Sequence, residues 1–231
     1  MTGLFPVGVD EVWLEIGFGG GEHLVWQARH GTPSPLVGEG RGGGESRTAA
    51  ATCPAQSRTP AGGSVHLPSG GIPPTPNRLR VGLIGCEPFV DGVIKALSAI
   101  EAETLANVRL HPDDARDVLR WLPPASISRA FVLFPDPWPK KRHVKRRLIA
   151  PPLLDALARV MKSGAELRLA TDIGDYARTS LLAIHAHPQF RWPVRGPADW
   201  RERCHDWPET RYERKAKHEG RRCYYFRFIR R

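Results

Sequence analysis

Apolar residues in this chain fall into short strand-length runs, separated by stretches in which they recur at helical spacing. Runs at 12–17, 80–87, 107–111, 129–134 and 165–171 predict five strands. Helices are expected at 22–30, where Leu24, Val25 and Ala28 share a face, and at 91–101, 147–162 and 175–185, with an amphipathic stretch reaching Trp121. A last strand is expected at 223–229. Strands alternating with helices predict an α/β fold with a doubly wound, mostly parallel sheet. Right-handed crossovers then bring every parallel strand's C-terminus to one side.

One block breaks the pattern. Positions 31–80 hold 10 Gly and 8 Pro with no hydrophobic period, too little apolar surface to offset the entropy lost on ordering. The expectation is one domain over 1–231, with 31–79 as a disordered low-complexity insertion. A chain of 231 residues suits one core.

Charge narrows the partners. The formal charge is +10, with a pI near 9.9, and clustered cations point to nucleic acid. Six of the eight residues from Lys140 to Arg147 are Lys or Arg. From 209 to 231 nine cations face three acids, with aromatics interleaved; those on the last strand read as core rather than as base platforms. Cys53, Cys86, Cys204 and Cys223 show no C-x-x-C spacing, so no metal site is expected. The start Met1-Thr2-Gly3-Leu4-Phe5 lacks a basic n-region and an apolar h-region, so no signal peptide is expected, and no apolar run approaches membrane-spanning length. A cytoplasmic, reduced setting is expected, and a monomer.

Two strand-end loops carry candidate chemistry. Glu15-Ile16-Gly17-Phe18-Gly19-Gly20-Gly21 lets the backbone turn tightly and approach a ligand at Gly17 and Gly19. A dinucleotide fingerprint would need glycine where Glu22 stands. The pattern suits S-adenosylmethionine better, with Glu15 placed to pair with its ammonium. Glu87 ends the second strand, where an acid can accept from ribose hydroxyls; Asp114 follows the third, in reach of an adenine amino group. After the fourth comes Phe134-Pro135-Asp136-Pro137-Trp138-Pro139-Lys140-Lys141-Arg142-His143, a proline-stiffened loop presenting one carboxylate and one indole.

These motifs, with Gly85-Cys86-Glu87-Pro88-Phe89, Ala170-Thr171-Asp172 and Thr210-Arg211-Tyr212-Glu213, resemble the bacterial tRNA (guanine-N7-)-methyltransferases over 10–30 and 80–231. The resemblance implies a Rossmann-like methyltransferase sheet with an antiparallel C-terminal strand, S-adenosylmethionine as cofactor, and tRNA as substrate at a variable-loop guanine. It implies that Glu15, Glu87, Asp114 and Asp136 line the cofactor site, that Asp136 is catalytic, and that Lys140, Asp172, Thr210, Arg211, Tyr212 and Glu213 contact substrate. Trp138 either stacks on a base or packs internally. Two departures stand out. The family has a longer basic segment ahead of the first strand, so the chain is expected either to continue upstream or to bind tRNA less tightly. It also has no counterpart of the Gly/Pro block. Two other readings remain: an exocyclic-amino methyltransferase, and an inactive RNA-binding relic.

Overall fold

The computed structural model of the chain describes residues 3–5, 8–30 and 80–231. The expected insertion 31–79 lies outside the described residues. The elements run β1 (Glu11–Ile16), α1 (Glu22–His30), β2 (Val81–Cys86), α2 (Val90–Ala102), β3 (Val108–His111), α3 (Ala115–Trp121), β4 (Ile127–Leu133), α4 (Pro151–Val160), β5 (Met161–Thr171), α5 (Gly174–Ala186), β6 (Phe190–Arg191), α6 (Ala198–Arg201), α7 (Arg211–His218) and β7 (Tyr224–Arg230). They form a seven-stranded sheet in the order β3-β2-β1-β4-β5-β7-β6. The first five strands pair in parallel, and β7 runs antiparallel to β5 and β6.

Strand periodicity divides the core in two. Leu14, Ile16, Ala130, Val132, Leu167 and Leu169 face α3, α4 and α5. Trp13, Leu83, Phe131 and Leu133 face α1, α2 and α7. Each large side chain so buried stabilises by roughly 1.5–3 kcal/mol. Tyr225, Phe226 and Phe228 of β7 are all buried, as expected of core aromatics.

Two local differences matter for the site. The helix expected from Arg147 begins only at Pro151, with prolines in its first two positions, where a missing N–H costs nothing. The basic run ahead of it forms a short 3-10 helix over Lys141–Arg146. Chain order reverses between β1 and β4. That makes their C-terminal ends the topological switch point, where open α/β sheets bind ligands.

Candidate active site

The loops after β1, β2, β3 and β4 border a cavity of about 530 Å3, within the usual range for small-ligand sites. Its lining combines apolar groups of Ile16, Cys86, Phe134 and Leu148 with the acids Glu87, Asp114 and Asp136.

The turn after β1 passes through positive φ at Gly17, Gly19 and Gly21. A side chain at Gly19 would be strained: its φ is 56°, and a Cβ would stand 3.0 Å from Cε2 of Tyr212. Its N–H donates to Glu87 Oε2 at 2.7 Å, and the Phe89 N–H donates to Oε1 at 3.0 Å. Glu87 thus joins two loops, and a ligand hydroxyl reaching it must share its oxygens with these amides. Asp114 caps α3, accepting from the Arg116 backbone and guanidinium, both at 2.8 Å. Burial, with the charge of Asp114 second, pushes the Cys86 thiol up to about 12, so it lines the cavity as a neutral group.

The loop after β4 is strained and clamped. Phe134 and Trp138 adopt φ of 51° and 43°, conformations costly for bulky side chains and typical of functional sites. Buried Arg147 donates from Nε to the Pro137 carbonyl at 3.0 Å, from Nη1 to Thr179 at 2.8 Å and from Nη2 to Asp175 at 2.5 Å. One member of the basic run therefore anchors the loop to α5 rather than meeting solvent. The Arg146 guanidinium lies 4.9 Å from the Trp138 ring centroid, within cation–π range. Between the strained aromatics, Asp136 is exposed, borders the cavity, and makes no hydrogen bond or ion pair with the described residues.

A family described as "Putative methyltransferase" matches residues 76–226. The tRNA (guanine-N(7)-)-methyltransferase of Rhodospirillum rubrum is 46% identical over 229 residues, 99% of this chain and 71% of that protein. The chain belongs to the tRNA (guanine-N(7)-)-methyltransferase family. The Mesorhizobium japonicum member is 40% identical over 227 residues, 98% of this chain and 77% of its own. Among solved structures, a SAM dependent methyltransferase from Aquifex aeolicus superposes with a TM-score of 0.51 at 14% identity, covering 97% of this chain and 85% of that one. That likeness shows the Rossmann-like methyltransferase fold.

In this tRNA (guanine-N(7)-)-methyltransferase family member the expected site residues fall into three groups. Gly17, Gly19, Glu87, Asp114, Asp136, Arg211 and Tyr212 border the main cavity. Glu15 and Thr210 border a small adjoining chamber that shares Gly17, Phe134, Arg211 and Tyr212 with it. Lys140, Asp172 and Glu213 border neither. Lys140 is exposed ahead of the 3-10 helix. Asp172 accepts from Arg221 Nε at 2.6 Å. Glu213 is fully buried and takes Arg203 at 3.1 Å, Lys217 at 2.7 Å and the Tyr225 hydroxyl at 2.7 Å, so it holds α7 onto the sheet. Thr210 caps α7 by accepting from the Glu213 N–H at 3.3 Å. The Arg211 N–H donates to Glu22 at 2.6 Å, fixing the start of α7 over the glycine turn.

Sequence reasoning missed Lys95 and Gly92 of α2, which border the cavity, and His23, which bonds to Glu15; it quoted Phe89 within a motif but gave it no role. A glycine within the first turn of an otherwise good helix was the available signal for Gly92. Nothing local marked the others.

Proposed function

We propose that the chain transfers a methyl group from S-adenosylmethionine to N7 of a guanine in the variable loop of tRNA. The observation that carries this reading is Asp136. It is an unpaired acid held between two strained aromatics, facing the glycine turn across the cavity at the sheet's switch point.

The lining suits the methyl donor. Apolar Ile16, Cys86 and Leu148 offer surface to an adenine ring, and Glu87 and Asp114 offer acceptors to hydroxyl and amino groups. At Gly17 a Cβ would have nothing within 4 Å, so the turn leaves open room for a ligand. When bound, S-adenosylmethionine supplies an electrophilic methyl group on a sulfonium sulfur.

Guanine N7 has a free in-plane lone pair, so the site needs no general base. Its work is orientation and electrostatics. Asp136 offers negative charge to a guanine that becomes cationic, and its oxygens can accept from the N1–H and N2–H edge, which adenine lacks. Trp138 borders the cavity with Arg146 against its ring, a surface on which a base can stack. Exposed Arg142 and Lys145 provide phosphate contacts beside the loop.

The test is a tRNA transcript made with 7-deazaguanosine in place of guanosine. An unsubstituted transcript should accept methyl groups and the deaza transcript none. Equal transfer to both would favour attack by an exocyclic nitrogen and overturn the N7 reading.

A further inference from the structure

Behind the glycine turn lies a buried polar chain that the methyl transfer itself does not use. His23 Nδ1 stands 2.8 Å from Glu15 Oε2, His23 Nε2 stands 3.1 Å from Gln27 Nε2, and Gln27 Nε2 donates to the Asp206 carbonyl at 2.8 Å. Glu15, His23 and Gln27 are all at most 2% exposed.

We propose that His23 is a positioning residue, whose Nδ1–H aims the Glu15 carboxylate into the small chamber so that it receives the ammonium of the methyl donor's amino-acid tail.

The bonding pattern fixes the tautomer. A backbone carbonyl only accepts, so the Gln27 atom facing Asp206 O must be the amide nitrogen. That nitrogen only donates, so its second hydrogen goes to His23 Nε2, which must accept. The imidazole hydrogen is then on Nδ1 and points at Glu15. The ring cannot turn freely, because it meets Phe131 edge-on at 4.6 Å and Trp207 at 6.1 Å between centroids. His23 and Gln27 are one helical turn apart on α1, and Asp206 belongs to the segment leading into α7. The chain therefore links the end of β1, α1 and the α7 segment, which surround the chamber together with Leu133 and Phe134 at the end of β4.

The chamber has room for a small head group. It measures about 10 Å3, close to one water-sized sphere, which is also the size of an ammonium. His23 uses one oxygen of Glu15, and Glu15 and Glu22 are the carboxylates at this chamber. A buried carboxylate left to rotate would lose orientation toward such a group, and a charge-assisted bond holds it.

This inference rests on the methyl-donor reading, and the experiment separates the two. Calorimetry compares S-adenosylhomocysteine, which carries the amino-acid tail, with 5′-methylthioadenosine, which lacks it. The wild-type protein should bind the first more tightly. In His23→Phe that preference should shrink about tenfold, while methylthioadenosine affinity stays unchanged. His23→Asn, whose amide nitrogen stands in for Nδ1, should keep most of the preference. His23→Gln, whose amide reaches the Nε2 position instead, should lose it; this pair carries the test if the Phe variant does not fold. Equal weakening of both ligands in the Phe and Gln variants, or no weakening of either, would overturn the positioning role. A folded wild-type protein that binds neither ligand would overturn the methyl-donor reading itself.

Discussion

Replacing Gly92 by alanine sets two effects of opposite sign against each other. Alanine is the better helix former by roughly 0.5–1 kcal/mol, so on an ordinary helix the change would stabilise. Here a Cβ at position 92 would lie 2.4 Å from the Gly19 carbonyl oxygen and 3.1 Å from Glu87 Cγ. The close neighbour is backbone, which cannot swing aside, so α2 or the glycine turn must shift by on the order of 1 Å. Overpacking of this kind costs about 1–3 kcal/mol, which leaves a net loss of up to about 2.5 kcal/mol once the helix gain is subtracted. For a chain of this size that lowers Tm by up to about 10 °C. The same shift pulls the Gly19 N–H from Glu87, now 2.7 Å away, and should weaken S-adenosylhomocysteine binding by about tenfold or more. Thermal unfolding and calorimetry read the two effects separately. A raised Tm with unchanged affinity would show that helix propensity decides this position and that the close approach of α2 to the glycine turn is wrong.

Three further outcomes are expected. Asp136→Ala should lower methyl transfer by about 10²–10³-fold with tRNA affinity largely kept; near wild-type turnover would remove Asp136 from the reaction. Arg142→Ala with Lys145→Ala should weaken tRNA binding and reduce the slope of log affinity against log salt by about 0.7–0.9 for each phosphate that is no longer neutralised; an unchanged slope would refute the phosphate-binding role of these side chains. Asp206→Asn should destabilise by about 2–3 kcal/mol in urea titration, because Arg168, bonded to both Asp206 oxygens at 2.9 Å, and Arg129 stay buried with one charge uncompensated. Burial pushes the Asp206 carboxyl up, and Arg168 more than reverses this by charge and hydrogen bonding, with Arg129 adding, so that it falls from 3.8 to about 2. The folded value lies below the unfolded one. Its stabilisation, on the order of 2 kcal/mol, is therefore present above pH 4 and is lost as pH falls toward 2. The Asn variant should lack that part of the acid dependence.

Much of the sheet was legible because parallel strands buried on both faces read as apolar runs, as at 81–86 and 130–134, and 165–171 because its apolar residues alternate. The two strand-end loops were legible because glycine and proline restrict backbone conformation locally. What escaped depends on partners distant in sequence. Within α7, only Glu213 and Ala216 are buried, and Tyr212 and Ala216 are its only apolar residues, so no apolar run marked it. It is held by Glu22 of α1 and by Tyr225 and Arg203. Arg147 sits in a run of cations and differs from its neighbours through Pro137, Thr179, Asp175 and the Tyr176 ring. Glu15 precedes the glycine turn as expected, yet strand alternation and His23 place it at the small chamber rather than at the main cavity.

The most direct test of the account is transfer of labelled methyl from S-adenosylmethionine to an unmodified tRNA transcript, followed by digestion and identification of the labelled nucleoside. The account predicts 7-methylguanosine from the variable loop as the single labelled product. Label in an exocyclic-amino methylated nucleoside, or no transfer by folded protein, would contradict it.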